Sequence, residues 1–270
     1  MYGKNIRLSR IINQHTNKVC IVPMDHGTTL GPIPGIEKSI KTISNLIKGG
    51  VDGIVLHKGI LRHVAQYPEL SAGRYIMHLS VSTILNGNPT NKVIVSTVEE
   101  AIQYGADAVS VHVNCGDSYE SEMIRSCGKV AEACLHWGLP LLVMIYGPKN
   151  PPNTKIIAHL ARIAEELGAD LIKVEYPGTP ESMRYVVECV NVPVLISGGV
   201  KREESMEIFK IVQDALDGGA SGISFGRNIF QQEDQSFFAS LLSDLVHGRT
   251  SVKDCKVKYL NAIKPVILQD

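Results

Sequence analysis

The chain has no net charge: 27 Lys and Arg balance 27 Asp and Glu over 270 residues. A balanced surface offers no long-range field to nucleic acid or to an acidic membrane, so neither is an expected partner. Any anionic ligand must be held locally. No apolar run approaches the roughly 18 residues that span a bilayer, and Met1 to Gln14 lacks the apolar core of a secretory signal. The cysteines Cys20, Cys115, Cys127, Cys134, Cys189 and Cys255 include no Cys-x-x-Cys pair. These absences predict reduced, structural thiols in a cytoplasmic protein. No Gly-x-Gly-x-x-Gly follows the first apolar segment, which argues against an open doubly wound dinucleotide fold. No His-x-His or His-x-x-x-His pair is present either. Neither a metal nor another cofactor is expected.

The chain does have eight short apolar segments alternating with helical periodicity. Strands are expected near 18–24, 52–56, 74–79, 108–113, 141–146, 168–176, 192–196 and 222–225. Helices are expected over 36–48, 60–66, 97–105, 118–137, 154–167, 180–190, 203–216 and 229–246. Loops are expected at 86–91 and 147–153, and the C-terminal tail from Gly248 is less defined. Strands of this kind suit a parallel sheet covered by helices. One phrase recurs at the entry to several of them: Gly50-Val51-Asp52-Gly53, Gly105-Ala106-Asp107-Ala108 and Gly168-Ala169-Asp170-Leu171, with Gly219-Ala220-Ser221-Gly222 close behind. Each reads as a helix-capping glycine followed by a turn into a strand. A repeated βα unit without linkers predicts the α/β class, as a single (β/α)8 TIM barrel domain spanning residues 1–270.

In such barrels the chemistry sits at the C-terminal ends of the strands. Those ends carry Asp25 and His26, His57 and Lys58, His78, His112, Tyr146, Lys173, Ser197-Gly198-Gly199 and Gly226-Arg227. Lys173 interrupts an apolar run. On its own this fits a strand-end lysine whose head reaches water, or a buried amine able to form a Schiff base with a carbonyl. Reactive side chains at all eight strand ends favour the amine nucleophile. The glycines after strands seven and eight leave backbone N–H groups open beside expected helix N-termini, and Arg227 adds a cation. This is the usual phosphate position of the fold. Tyr146, one strand from Lys173, suits general acid–base work, and Asp25 suits proton transfer or orientation of an intermediate. Lys58 and the histidines His26 and His57 are secondary contacts for an anion. A second reading gathers His26, His57, His78 and His112 with Asp25 around a metal, as in a metal-dependent barrel hydrolase. A third is a non-catalytic sugar-phosphate binding protein.

Val22-Pro23-Met24-Asp25-His26-Gly27, followed by Gly31-Pro32-Ile33, resembles the DeoC/FbaB superfamily of class I aldolases, closest to its archaeal-type branch. Leu56-His57-Lys58-Gly59, the segment from Ala106 to Val113 and Gly226-Arg227-Asn228-Ile229-Phe230-Gln231 extend the resemblance along nearly the whole chain. The opening from Gly3 to Ile11 is similar to that of the 2-amino-3,7-dideoxy-D-threo-hept-6-ulosonate synthases. They condense a ketose phosphate fragment with aspartate semialdehyde, on a route to 3-dehydroquinate and the aromatic amino acids. The resemblance implies a Schiff base at Lys173, proton transfer by Tyr146 and Asp25, and phosphate contacts at Ser197 to Gly199 and at Gly226-Arg227. It also implies a phosphorylated ketose and an aldehyde as substrates, aldolase or transaldolase chemistry, and a homo-oligomer such as a decamer. Two related activities share these features: fructose-bisphosphate aldolase, and a secondary-metabolism aldolase joining dihydroxyacetone phosphate to aspartate semialdehyde. The chain departs from the family at Gly147-Pro148-Lys149, where Pro-Arg-Gly usually follows the tyrosine. Glu175, on the lysine's own face, is a further acidic group not expected there.

Overall fold

A computed structural model describes residues 2–85, 87–116, 118–148 and 153–267, with backbone alone for 264–267. Eight parallel strands close into a barrel. They are β1 (Val19–Pro23), β2 (Gly53–Leu56), β3 (Tyr75–His78), β4 (Ala108–Asn114), β5 (Leu141–Tyr146), β6 (Leu171–Glu175), β7 (Val194–Ser197) and β8 (Gly222–Ser224). Their order round the barrel is sequential, and β1 closes the ring against β8, with Cys20 opposite Ile223. Helices α1 (Tyr2–Ile11), α2 (His26–Leu30), α3 (Ser39–Lys48), α4 (Lys58–Val64), α5 (Val98–Gln103), α6 (Glu120–Trp137), α7 (Thr154–Glu166), α8 (Pro180–Glu188), α9 (Ser205–Asp217), α10 (Arg227–Phe230), α11 (Gln235–Val246) and α12 (Val252–Ile267) accompany them. No helix among the described residues is long and apolar enough to cross a membrane.

The strands are apolar on both faces because each face meets a different core. The outer core packs strand residues such as Val22, Ile172, Val174 and Ile196 against the helices. The inner core fills the barrel with Val19, Ile21, Val55, Ile76, Leu142, Leu171 and Leu195. Ile11 of α1 joins this inner set, with Leu8 and Ile12 packed against it, so α1 plugs the N-terminal end. Charged side chains fasten the plug. Lys4 Nζ lies 2.9 Å from Asp170, Arg10 reaches Asp107 at 3.3 Å, and Arg7 donates to the Gly138 carbonyl at 2.9 Å.

The recurring Gly-x-Asp phrase has a definite role at this end. Asp52 donates its backbone N–H to Cys20 O and accepts at its carboxylate from Cys20 N, both on β1. Asp107 does the same with Tyr75 of β3, and Asp170 with Leu141 of β5. Each aspartate thus clips its own strand to the one before, at every second strand. In the fourth copy Ser221 keeps only the backbone bond, to Val194 O. Thr97 caps α5, its Oγ1 accepting from Glu100 N at 3.1 Å.

Four features differ from the sequence reading. The helix expected over 229–246 is two, α10 and α11. The second begins at Asp234, whose side chain accepts from Phe237 N at 2.9 Å and so caps a fresh start. The tail after Gly248, less defined in the sequence, forms α12. Ser251 caps it through Asp254 N, and Tyr259 packs 5.5 Å from the Phe238 ring and 6.2 Å from Phe209. The N-terminal stretch is a helix. A two-stranded antiparallel ribbon, Ser80–Val81 with Val93–Ile94, rises above β3. In the expected loops, Asn86 and residues 149–152 lie outside the described residues.

Candidate active site

Strand alternation decides which side chains face the barrel axis. On β6, Leu171 belongs to the inner core and Ile172 and Val174 to the outer one. Lys173, two residues on from Leu171, therefore faces the axis. The same step leads β5 from Met144 to Tyr146, β3 from Ile76 to His78, β4 from Ala108 to Ser110 and His112, and β7 from Leu195 to Ser197. The barrel interior is apolar near its N-terminal end and polar near its C-terminal end. The polar layer opens into a cavity of about 790 Å³.

Lys173, Tyr146, Asp25, His26, Ser197, Gly198, Gly199, Gly226 and Arg227, all expected from the sequence, line that cavity together with Glu175. His57 and Lys58 do not. Lys58 is drawn aside by Glu100 at 3.1 Å and by the Val95 carbonyl at 3.0 Å. His57 lies behind Asp25, with Nε2 3.0 Å from Thr28 Oγ1 and 3.2 Å from the Asp25 carbonyl. Among the described residues no three His, Cys, Asp or Glu side chains converge on one point that could hold a metal ion. His26, His57 and His78 gather round Asp25, the first and third at its carboxylate and His57 at its carbonyl, while His112 pairs with Asn114.

Lys173 is buried at 7% exposure, and its Nζ has only Met144 Sδ, at 3.9 Å, in hydrogen-bond range among the described residues. Asp25 stands beyond it, with His78 Nε2 3.6 Å and His26 Nδ1 3.8 Å from its carboxylate oxygens. Burial alone would raise the Asp25 carboxyl. His78, His26 and the charge on Lys173 outweigh that and hold it below its ordinary value, so it is a carboxylate. The rings respond in the opposite sense. Burial pushes His78 and His112 down to about 3, against the pull of Asp25. At neutral pH both are uncharged hydrogen-bonding groups. Ser110 Oγ lies 2.7 Å from His78 Nδ1 and fixes that ring. His112 holds Asn114 Oδ1 at 2.9 Å and stacks on Tyr146, ring centroids 4.8 Å apart.

The loops after β7 and β8 form the opposite wall. A Cβ at Gly226 would stand 2.7 Å from both the Pro23 carbonyl oxygen and His26 Cε1, so only glycine lets this loop close over β1. Gly199 adopts a left-handed φ of +67°. Asn228 ties the loops together, donating to Gly198 O at 2.7 Å and accepting from Arg202 N at 2.9 Å. The expectation of two helix N-termini here is corrected. The helix after β7 starts only at Ser205, and α10 is a single turn. What remains is a cradle of loop backbone, one guanidinium and hydroxyls. Arg227 Nε, Ser224 Oγ and His26 Nδ1 are buried there with no hydrogen-bond partner among the described residues. Buried polar atoms left unpaired in this way are costly unless a ligand completes them.

Three contributors escape the sequence reading. Ser224 was readable, since alternation from Gly222 on β8 turns it inward. Asn228 and Lys92 carry no such signal. Lys92 lies in a stretch without periodicity, and the ribbon above β3 brings it to the cavity.

The DeoC/LacD family aldolase model matches residues 19–232. The 2-amino-4,5-dihydroxy-6-oxo-7-(phosphonooxy)heptanoate synthase of Streptomyces griseus is 42% identical over 252 residues, covering 92% of this chain and 91% of that protein. The 2-amino-3,7-dideoxy-D-threo-hept-6-ulosonate synthase 1 of Archaeoglobus fulgidus is 40% identical over 256 residues, covering 94% and 95%. An archaeal fructose-1,6-bisphosphate aldolase, solved with its catalytic Lys covalently bound to the carbinolamine intermediate of the substrate, superposes with a TM-score of 0.80 at 31% identity. That match covers 91% of this chain and all (100%) of the solved one.

Proposed function

Since the chain belongs to the DeoC/LacD aldolase family, we propose that it joins a ketose phosphate to aspartate semialdehyde through a Schiff base on Lys173. The observation that carries this reading is one cavity holding both a buried amine and, on its wall, Arg227 Nε and Ser224 Oγ, which have no hydrogen-bond partner among the described residues. The phosphate of the donor completes those groups and sets its ketone over the amine. The amine lone pair adds to the carbonyl carbon, and the resulting carbinolamine loses water to give an iminium ion. Loss of a proton from the neighbouring carbon leaves an enamine, whose carbon attacks the aldehyde. The new alkoxide takes up a proton, and water releases the product and frees Lys173. Tyr146 is the proton carrier at the reacting carbons. The carboxylate of Asp25 orients the carbinolamine and relays the proton lost with water. Whether a homo-oligomer forms does not enter this scheme, because every residue it uses comes from one chain.

The choice of acceptor rests on the relatives. Both synthases above are named for seven-carbon products with an amino group at C2. In the phosphorylated product the ketone is at C6 and a hydroxyl at C4. Reversing an aldol addition therefore breaks C4–C5. The fragments are 2-amino-4-oxobutanoate, which is aspartate semialdehyde, and dihydroxyacetone phosphate. The test is to incubate the purified protein with aspartate semialdehyde plus dihydroxyacetone phosphate or a longer ketose phosphate, and with fructose 1,6-bisphosphate alone. A seven-carbon amino acid product detected by mass spectrometry is the expected result. Cleavage of fructose 1,6-bisphosphate with no such product would overturn the choice of acceptor.

A further inference from the structure

Lys92 is a cavity cation that the scheme above does not use. It immediately precedes Val93–Ile94, the outer strand of the ribbon that continues from β3. In a closed barrel of eight sequential strands, β3 faces β7 across the axis and β4 faces β8. Lys92 therefore stands across the cavity from Ser197 to Gly199 and from Gly226-Arg227, with the Lys173 amine below the space between.

Its side chain is held in place. Lys92 Nζ donates to Ser82 Oγ at 2.6 Å, and Ser82 Oγ donates onward to Pro89 O at 2.7 Å. Asn114 Nδ2 of β4 donates to Thr90 O at 2.6 Å, which fastens the same loop to the barrel. An ammonium has three donors, and Ser82 takes one. Among the part-buried lysines outside the cavity, Lys18 donates to the Ala220 carbonyl at 2.7 Å, while Lys4 and Lys58 have carboxylates, Asp170 at 2.9 Å and Glu100 at 3.1 Å. Among the described residues none lies that close to Lys92. Burial pulls its ammonium below its ordinary value, and the more distant Asp25 only partly offsets this. A half-buried, fixed and unpaired cation is costly in the empty site and is relieved by an anion from solution.

We propose that Lys92 is the specificity-determining residue of the acceptor subsite, binding the anionic end of the aldehyde opposite the cradle that takes the donor phosphate. That anionic end is a carboxylate in aspartate semialdehyde and a phosphate in glyceraldehyde 3-phosphate. The ammonium recognises either, and backbone and hydroxyl groups at the far wall leave the donor phosphate to Arg227. This subsite rests on the aldolase reading, since it needs a bound donor for the acceptor to meet.

The experiment compares wild type, Lys92→Met and Lys92→Gln. Borohydride trapping with dihydroxyacetone phosphate alone is done first, and all three are expected to label Lys173. Steady-state rates are then measured with aspartate semialdehyde, glyceraldehyde 3-phosphate and uncharged glyceraldehyde. For at least one of the two anionic aldehydes, kcat/KM relative to glyceraldehyde should fall fivefold or more in both variants. The aldehyde that shows the fall identifies the anion. Two results overturn the subsite while leaving the aldolase reading intact: a fall of less than fivefold for both anionic aldehydes in variants that still trap, or a fivefold rise in KM for the ketose phosphate. Absence of trapping in the wild type would overturn the aldolase reading and the subsite with it.

Discussion

At the N-terminal end of the barrel, Asp52, Asp107 and Asp170 each accept from a strand N–H and face a basic side chain: His247 at 2.9 Å, Arg10 at 3.3 Å and Lys4 at 2.9 Å. At the C-terminal end, Arg227 Nε, Ser224 Oγ and His26 Nδ1 are buried with no hydrogen-bond partner among the described residues, and the Lys173 amine faces a thioether. One end has satisfied its polar groups within the chain. The other has left them for a ligand. Stability and chemistry are thereby separated along the barrel axis, and substitutions at the two ends should fail in different ways.

The largest expected effect is at the polar end. Lys173→Met should lower kcat/KM on the order of 10³-fold or more. Its melting temperature should hold or rise, because a buried amine with no carboxylate in ion-pair range among the described residues gives way to an apolar chain of similar volume. A melting temperature that falls with activity would show that Lys173 supports the fold, and the separation would break. Tyr146→Phe comes next, with a loss of roughly 10²–10⁴-fold in kcat while the donor phosphate still binds. Calorimetric titration of that variant with dihydroxyacetone phosphate checks the second half.

At the other end the effect moves to stability. Asp170→Ala removes a charge-assisted bond to Leu141 N and the Lys4 pair, at a cost of about 1.5–3 kcal/mol. Activity per folded molecule should stay within about twofold, measured well below the melting temperature. Loss of activity at constant folded fraction would join the two ends that the structure separates.

The smallest effect is in pH dependence. His78 and His112 titrate near 3 in the folded chain, against an ordinary value of 6.5. Between those values the unfolded chain binds more protons, so stability falls as pH drops, by up to roughly 1.4 kcal/mol per pH unit for each ring. Asp25 works in the other window. Its depressed folded value stabilises above the unfolded carboxylate value of 3.8 and is lost as pH falls below it. Denaturant midpoints from pH 7 to pH 5 should fall less steeply in His112→Asn than in the wild type.

What the sequence made legible follows the same division. The barrel, its eight strands and the inward set Tyr146, Lys173 and Ser197 were readable, because period-two alternation and repeated Gly-x-Asp phrases are local signals. The role of the repeated aspartates was not, since it depends on a partner strand some 30 residues earlier in the chain. Lys58 was read into the site and lies outside it. Position at a strand end does not reveal that Glu100 will capture the ammonium. Lys92 was missed for the converse reason: a loop without periodicity is carried to the cavity only by ribbon pairing above β3. The helix α12 escaped because its anchor, the contact of Tyr259 with Phe209 and Phe238, is tertiary. In each case a long-range contact overrode or supplied what local pattern lacked.

The central claim is that the amine at the polar end forms the covalent bond to substrate. Borohydride reduction in the presence of dihydroxyacetone phosphate, followed by peptide mass spectrometry, tests it directly. Among the described residues the cavity presents two lysines, Lys92 and Lys173. The account predicts stoichiometric modification of Lys173 and none of Lys92. Label on Lys92, or no label on either while aldol condensation proceeds, would contradict it.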